Sequence, residues 1–223
     1  MDKIIAIVAG ITLLIIGLAR IFRDIKFIQK KMEFAHEFHT KLGEYLKSQG
    51  KDFHTYSWLI QRSPKFQREM GFFGIVAAYS PPLSNYTVNN YQIILNIIPE
   101  IRKEFDDVSP IGDRRFLREY AALLDESILR YVGDLSDDLE IAQKKIKNPV
   151  IWLTEGVSWV LLLPFSILNW IGLMSESIIN GIANNPLFKI VAGIVSLLGL
   201  LSTVMTIVIG WNSFLQSLKT FLP

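Results

Sequence analysis

The sequence predicts an all-α integral membrane protein with three transmembrane helices and a helical cytoplasmic domain between the first and the second. Three observations carry that expectation. Residues 4–19, IIAIVAGITLLIIGLA, form an unbroken apolar run, and residues 190–210, IVAGIVSLLGLLSTVMTIVIG, contain no charge. Each approaches the roughly 20 residues that cross a bilayer core of about 30 Å. Between them the charges gather: 20 of the 23 Lys and Arg residues and 18 of the 21 Asp and Glu residues lie between Arg20 and Lys147, which marks a water-facing domain.

The first apolar run has no basic region before it beyond Lys3, and RIFRDIKFIQKK follows it instead of a small-residue cleavage site. It therefore reads as a retained span over residues 1–22 and not as a cleaved signal. Basic residues close to span ends stay cytoplasmic. Arg20, Arg23, Lys26, Lys30 and Lys31 follow the first run, and Lys144, Lys145 and Lys147 precede the second apolar region. Both ends of the middle domain are thus expected in the cytoplasm of a cell or bacterial-type inner membrane, with the N-terminus outside. The glycosylation triplet Asn85-Tyr86-Thr87 then lies on the wrong side for modification.

No Pro or Gly interrupts residues 18–42, so the first helix is expected to leave the membrane as a stalk over residues 23–50 and to end near Gly43 or Gly50. Ile21, Ile25, Ile28, Met32, Ala35, His39, Leu42 and Leu46 alternate steps of four and three, the seam spacing of packed helices. Phe27, Phe34, Phe38 and Tyr45 form a second face.

Residues 51–148 read as a cytoplasmic domain of short helices: 53–61, 64–79 opened by Ser63-Pro64, 89–98 broken at Pro99, 113–132 and 135–147. Asp113 and Asp134 are the expected caps. Phe116, Tyr120, Leu123, Leu124, Ile128 and Tyr131 give the fourth helix its apolar stripe. YSPPLSNYTVNN, residues 79–90, is the clearest loop, and no strand alternation of useful length is visible.

The second membrane segment, residues 149–180, admits two geometries. As a straight helix, Trp152 to Trp170 measures about 27 Å, near the separation of the two interfacial belts that Trp favours. The following SESIINGIANNP has no Lys or Arg, as an external loop should. The alternative is a re-entrant hairpin broken at Pro164. In both, Glu155, Ser158, Ser166 and Asn169 fall near one face, which should turn toward protein and away from lipid.

Chemistry-bearing motifs are few. Glu33-x-x-His36 has the spacing that sets two metal ligands on one helix face, but a di-iron bundle needs a second pair and further glutamates. His54 is the remaining histidine besides His39, and there is no cysteine. No metal site, cofactor or enzymatic activity is expected: there is no nucleophile elbow, glycine-rich phosphate loop or zinc motif. The net charge of +2 gives no reason to expect nucleic acid, and GDRRFLREY, residues 112–120, reads as a solvated basic face.

The last segment, residues 186–223, is a third span with an amphipathic extension. Stepping by three and four from its first cation gives Lys189, Ala192, Ser196, Gly199, Thr203, Thr206, Gly210, Ser213, Ser217 and Thr220. Such a stripe of small and polar residues either lets helices approach closely or lines a hydrated path. LLGLLSTVMTIVIGWNSF, residues 197–214, resembles the GLLGTVWGI motif of the ExbB, TolQ and MotA proton-channel subunits, with Ser202 at a glycine position and the motif in the last span. That resemblance implies an outside N-terminus, a first span, a helical cytoplasmic domain and further spans, and assigns no functional residue.

Two functions are consistent with these features. One is an oligomeric channel or pore lined by the last helix through Lys189, Ser196, Gly199, Thr203, Thr206 and Gly210, with Glu155, Ser158, Ser166 and Asn169 in a second layer. The other is a membrane-anchored oligomeric interaction or sensor module in which the same stripe is a helix seam. Expected partners are the lipid bilayer, further copies of the chain as a homo-oligomer, and a cytoplasmic protein or ligand on residues 51–148.

Overall fold

The computed structural model describes residues 2–81, 85–106, 115–199 and 201–202, and the fold among them is helical apart from one short hairpin. In chain order the elements are α1 (Asp2–Lys47), α2 (Phe53–Met70), a 3-10 turn (Gly71–Gly74), β1 (Ile75–Tyr79), β2 (Val88–Gln92), α3 (Ile93–Asp106), α4 (Arg115–Ile146), α5 (Pro149–Trp170), α6 (Glu176–Asn184) and α7 (Pro186–Gly199). The chain divides into a central unit, Phe27–Glu140, and a terminal unit made of Met1–Lys26 and Ile141–Pro223.

In the central unit the core is drawn from four helices. Ala35, Phe38, Leu42 and Tyr45 of α1 join Leu59, Phe66 and Met70 of α2, Ile93, Ile94, Ile97, Ile98 and Ile101 of α3, and Tyr120, Leu124, Ile128, Tyr131 and Leu135 of α4. The Phe38 and Phe66 rings stack at 4.2 Å. The buried face of α1 differs from the heptad seam. Leu42 and Ala35 are shared, but Phe38 and Tyr45 belong to the second face, while Ile28, Met32 and His39 are half-buried. A straight helix drifts about 20° per heptad against a 3.5-residue repeat, so a strict seam rotates away from the core along its length. The helix runs through Gly43 and stops at Lys47, where Gln49 and Gly50 take positive φ of 52° and 75°.

Three expected helix boundaries are corrected. Pro64 does not open a helix; it lies within α2. A proline in a helix interior costs about 3 kcal/mol, but Leu59, Phe66 and Met70 keep one buried face on both sides of it, each worth roughly 1.5–3 kcal/mol. Pro99 likewise sits inside α3, held by the isoleucine stripe on either side. Asp134 caps nothing, because α4 is continuous from Arg115 to Ile146. Burial of Tyr131 and Leu135 outweighs the cost of about 1 kcal/mol for Gly133 in the helix. Asp113 lies outside the described residues.

Residues 75–79, expected at the end of a helix, and 88–92, expected as the end of a loop and the start of the next helix, form an antiparallel pair with Ile75 opposite Gln92 and Tyr79 opposite Val88. The Tyr79 and Tyr91 rings stack at 4.2 Å, and the Ser80 and Thr87 hydroxyls meet at 2.9 Å at the base of the connection. Gln67 ties the hairpin region to the helices. Its Nε2 donates to the Gly74 carbonyl at 2.8 Å and its Oε1 accepts from the Ile94 amide at 3.0 Å. A buried α3 amide that has no intrahelical acceptor is satisfied in this way.

The terminal unit inverts the usual rule of burial. Val8, Ile11, Ile15 and Phe22 of α1, Val160, Ile167 and Trp170 of α5, and Leu187, Ile190, Val191, Ile194 and Leu198 of α7 are all exposed. Apolar surface of this extent marks contact with a membrane or another macromolecule. Of the described helices, α5 is long and apolar enough to cross a membrane, and α6 with α7 meets the same test only as a pair bent by 64°. The start of α5 follows from its residues: Asn148 accepts from the Val150 amide at 3.0 Å and Pro149 occupies the first helical turn. The helix runs through Pro164 to Trp170, so the break falls at residues 171–175, with Gly172 at φ 78°. SESIINGIANNP is not an irregular loop, since most of it is α6.

Candidate functional site

Within the terminal unit, α1 and α5 touch backbone to backbone. A Cβ added at Gly17 would overlap the Trp152 carbonyl oxygen, and one added at Gly156 would overlap the Leu13 carbonyl oxygen. Leu13 thus faces Gly156 and Gly17 faces Trp152. One number rises by four as the other falls by four, which makes the helices antiparallel. Close approach through small residues is how helices associate where lipid removes any hydrophobic gain from contact.

Charged groups sit beside this crossing. The Glu155 carboxylate lies 3.9 Å from Arg20 Nε and 3.6 Å from Lys145 Nζ. Arg20 Nη1 also donates to the Glu155 carbonyl at 3.4 Å, and the Trp152 indole N–H donates to the Lys145 carbonyl at 3.2 Å. Arg20 Nε is buried without a hydrogen bond, so the carboxylate acts on it through charge alone. Glu155 is three-quarters buried and holds two cations, one from α1 and one from α4. The arrangement fixes helices; it presents no nucleophile, no acid–base pair and no set of metal ligands.

The other residues of the expected polar face are placed differently. Ser158 and Asn169 are half-buried, whereas Ser166 is exposed and returns its hydroxyl to the Leu162 carbonyl at 3.1 Å. On α1, Ile21 and Ile25 are buried in the terminal unit. On α7, Ala192 and Ser196 are buried, with Ser196 only 2% exposed and its hydroxyl donating to the Ala192 carbonyl at 2.6 Å. Lys189 and Gly199 are exposed. Thr203, Thr206 and Gly210, and with them most of residues 197–214, lie outside the described residues.

In the central unit, His39 Nε2 pairs with Asp125 Oδ1 of α4 at 2.5 Å, while Glu33 and His36 are exposed. Among the described residues no group of three or more His, Asp or Glu side chains is placed to hold a metal ion. Burial pushes the phenols of Tyr91 and Tyr131 up to about 12 and that of Tyr120 higher still. Glu69 and Asp134 add to the effect at Tyr131.

The crossing was missed in the sequence because Gly17 and Gly156 belong to no small-residue repeat. A usable signal was present: each glycine lies within three residues of a charge, Arg20 in one case and Glu155 in the other, and those charges are opposite. Compared with protein-family models, curated proteins and solved structures, the chain matches none.

Proposed function

We propose that this chain is a membrane-anchored, oligomeric interaction module. In this reading α1 and α5 cross the bilayer as an antiparallel pair, the last hydrophobic segment crosses as a third span, the N-terminus lies outside, and the central unit faces the cytoplasm to bind a protein or ligand on residues 51–148. The basic residues Arg20, Arg23, Lys144 and Lys145 favour this orientation. The exposed apolar surface of the terminal unit supports the membrane setting. No catalytic role is part of the proposal.

The observation that carries the choice of module over pore is Ser196. Its side chain is covered by its own chain and its hydroxyl is spent on a carbonyl one turn back, which suits a helix seam better than the wall of a hydrated path. A second reading, an oligomeric pore, draws support from Lys189, which stands exposed on the same stripe. The chain has no cysteine, so single cysteines at positions 189, 196, 199, 203 and 206 separate the two. The module reading expects protection of 196, 203 and 206 from a water-soluble thiol reagent, efficient self-crosslinking at 203 or 206, and no ion flux in liposomes. Labelling of all three, together with flux abolished by Thr203→Leu and Thr206→Leu, would establish the pore instead.

A further inference from the structure

We infer that α6 is an interfacial helix, lying in the membrane surface on the face opposite Arg20 and Lys145, with the polar–apolar boundary of the bilayer as its partner. The inference rests on the membrane reading above and adds to it a second kind of lipid contact.

Its residues segregate completely by chemistry. At 100° per residue, Ile178, Ile182, Ile179 and Ala183 occupy one continuous arc, and Glu176, Asn180, Asn184, Ser177 and Gly181 occupy the other. None of the nine residues is fully buried: on the apolar arc Ile178 is exposed and Ile179, Ile182 and Ala183 are half-buried. The apolar arc is therefore not the inner face of a folded core.

The surroundings identify what covers it. With 22 residues, α5 measures about 33 Å, enough to traverse the hydrocarbon core completely. It ends on Trp170, 87% exposed, at the depth where indole rings concentrate. The chain turns at Gly172, and exposed Ile171 and Leu173 lead into α6 while exposed Leu187 leads out of it. α7 then departs at 64° to α6, so a helix flat on the surface can be followed by one that enters the membrane. Between Lys147 and Lys189 there is no Lys or Arg. Attraction to anionic headgroups thus plays no part, and apolar burial holds the helix. Nine residues would bind weakly alone, but tethering between two membrane segments removes most of the entropic cost. Lys189, exposed one turn into α7, has an aliphatic stem long enough to keep its ammonium at headgroup depth.

The test uses spin-labelled single cysteines at Ile178, Ile182, Ser177 and Asn180 in liposomes, with Val160 of α5 as reference. Collision with oxygen, which partitions into lipid, is compared with collision with a water-soluble nickel chelate. The oxygen-to-nickel ratio at 178 and 182 is expected to exceed that at 177 and 180 on the order of tenfold, with 160 lipid-like. If all four α6 positions are water-exposed, or all four are shielded from both reagents as in a protein contact, while 160 remains lipid-like, the inference fails and the membrane reading stands. If 160 is itself water-exposed, both fail.

Discussion

Replacing Gly17 by alanine tests the α1–α5 crossing directly. The added methyl would occupy the space of the Trp152 carbonyl oxygen, and that atom belongs to a helical backbone that cannot give way alone. Restoring van der Waals separation requires the helices to move apart by roughly 1–2 Å. Overpacking of this kind costs about 1–3 kcal/mol, equivalent to a fall in Tm of about 2–12 °C for a chain of this size. Gly10 provides the control, because a Cβ there meets nothing within 4 Å. Gly10→Ala should be neutral or stabilising by up to about 1 kcal/mol, as helix propensity dictates. Thermal unfolding in detergent, followed by tryptophan fluorescence, reads both. Gly156→Ala should resemble Gly17→Ala, and the double variant should fall short of the sum, since the first methyl already separates the helices. If Gly17→Ala behaves like Gly10→Ala, the close crossing does not exist.

Three further outcomes follow from the structure. Glu155→Gln should destabilise the terminal unit by on the order of 1 kcal/mol after allowance for partial exposure, because Arg20 and Lys145 lose their shared anion; in a double-mutant cycle with Arg20→Gln a coupling energy of zero would refute the pairing. Gln67→Leu should cost about 2–4 kcal/mol by leaving the Gly74 carbonyl and the Ile94 amide without partners, and should accelerate hydrogen exchange at Ile94; unchanged exchange there would count against the bridge. Tyr91 and Tyr131 hold folded pKa values of about 12 against 10 in the unfolded chain. Their contribution is therefore complete below pH 10 and is lost as pH rises toward 12, so alkaline unfolding should shift upward in Tyr131→Phe, measured by circular dichroism against pH.

Much of the helical content was legible because periodic burial leaves a periodic sequence. The Tyr120–Tyr131 stripe is visible as written, and the apolar segment from residue 149 is visible as a helix. Pro64 and Pro99 suggest helix boundaries, yet both are absorbed where the same buried face continues on either side. The hairpin was hidden because β1 and β2 are five residues each and carry Ala77, Ala78, Asn89 and Asn90, which favour strands poorly. What stabilises it is not local. Tyr79 stacks on Tyr91, twelve residues away, and Gln67 anchors the neighbouring segments from another helix. The candidate site was less legible than the fold, since the Gly17–Gly156 approach and the Arg20–Glu155 pair join residues far apart in sequence, and no periodicity reports such a contact.

That separation sets a schedule for the chain as it is synthesised. At about 5–20 residues per second, position 156 is synthesised roughly 7–28 s after position 17. During that interval the glycine face of α1 is open and Arg20 is without the Glu155 carboxylate. The whole of Phe27–Glu140 emerges in the same interval, long enough for a domain of that size to complete its core. The α1–α5 crossing can therefore close only after the whole of the central unit has been synthesised.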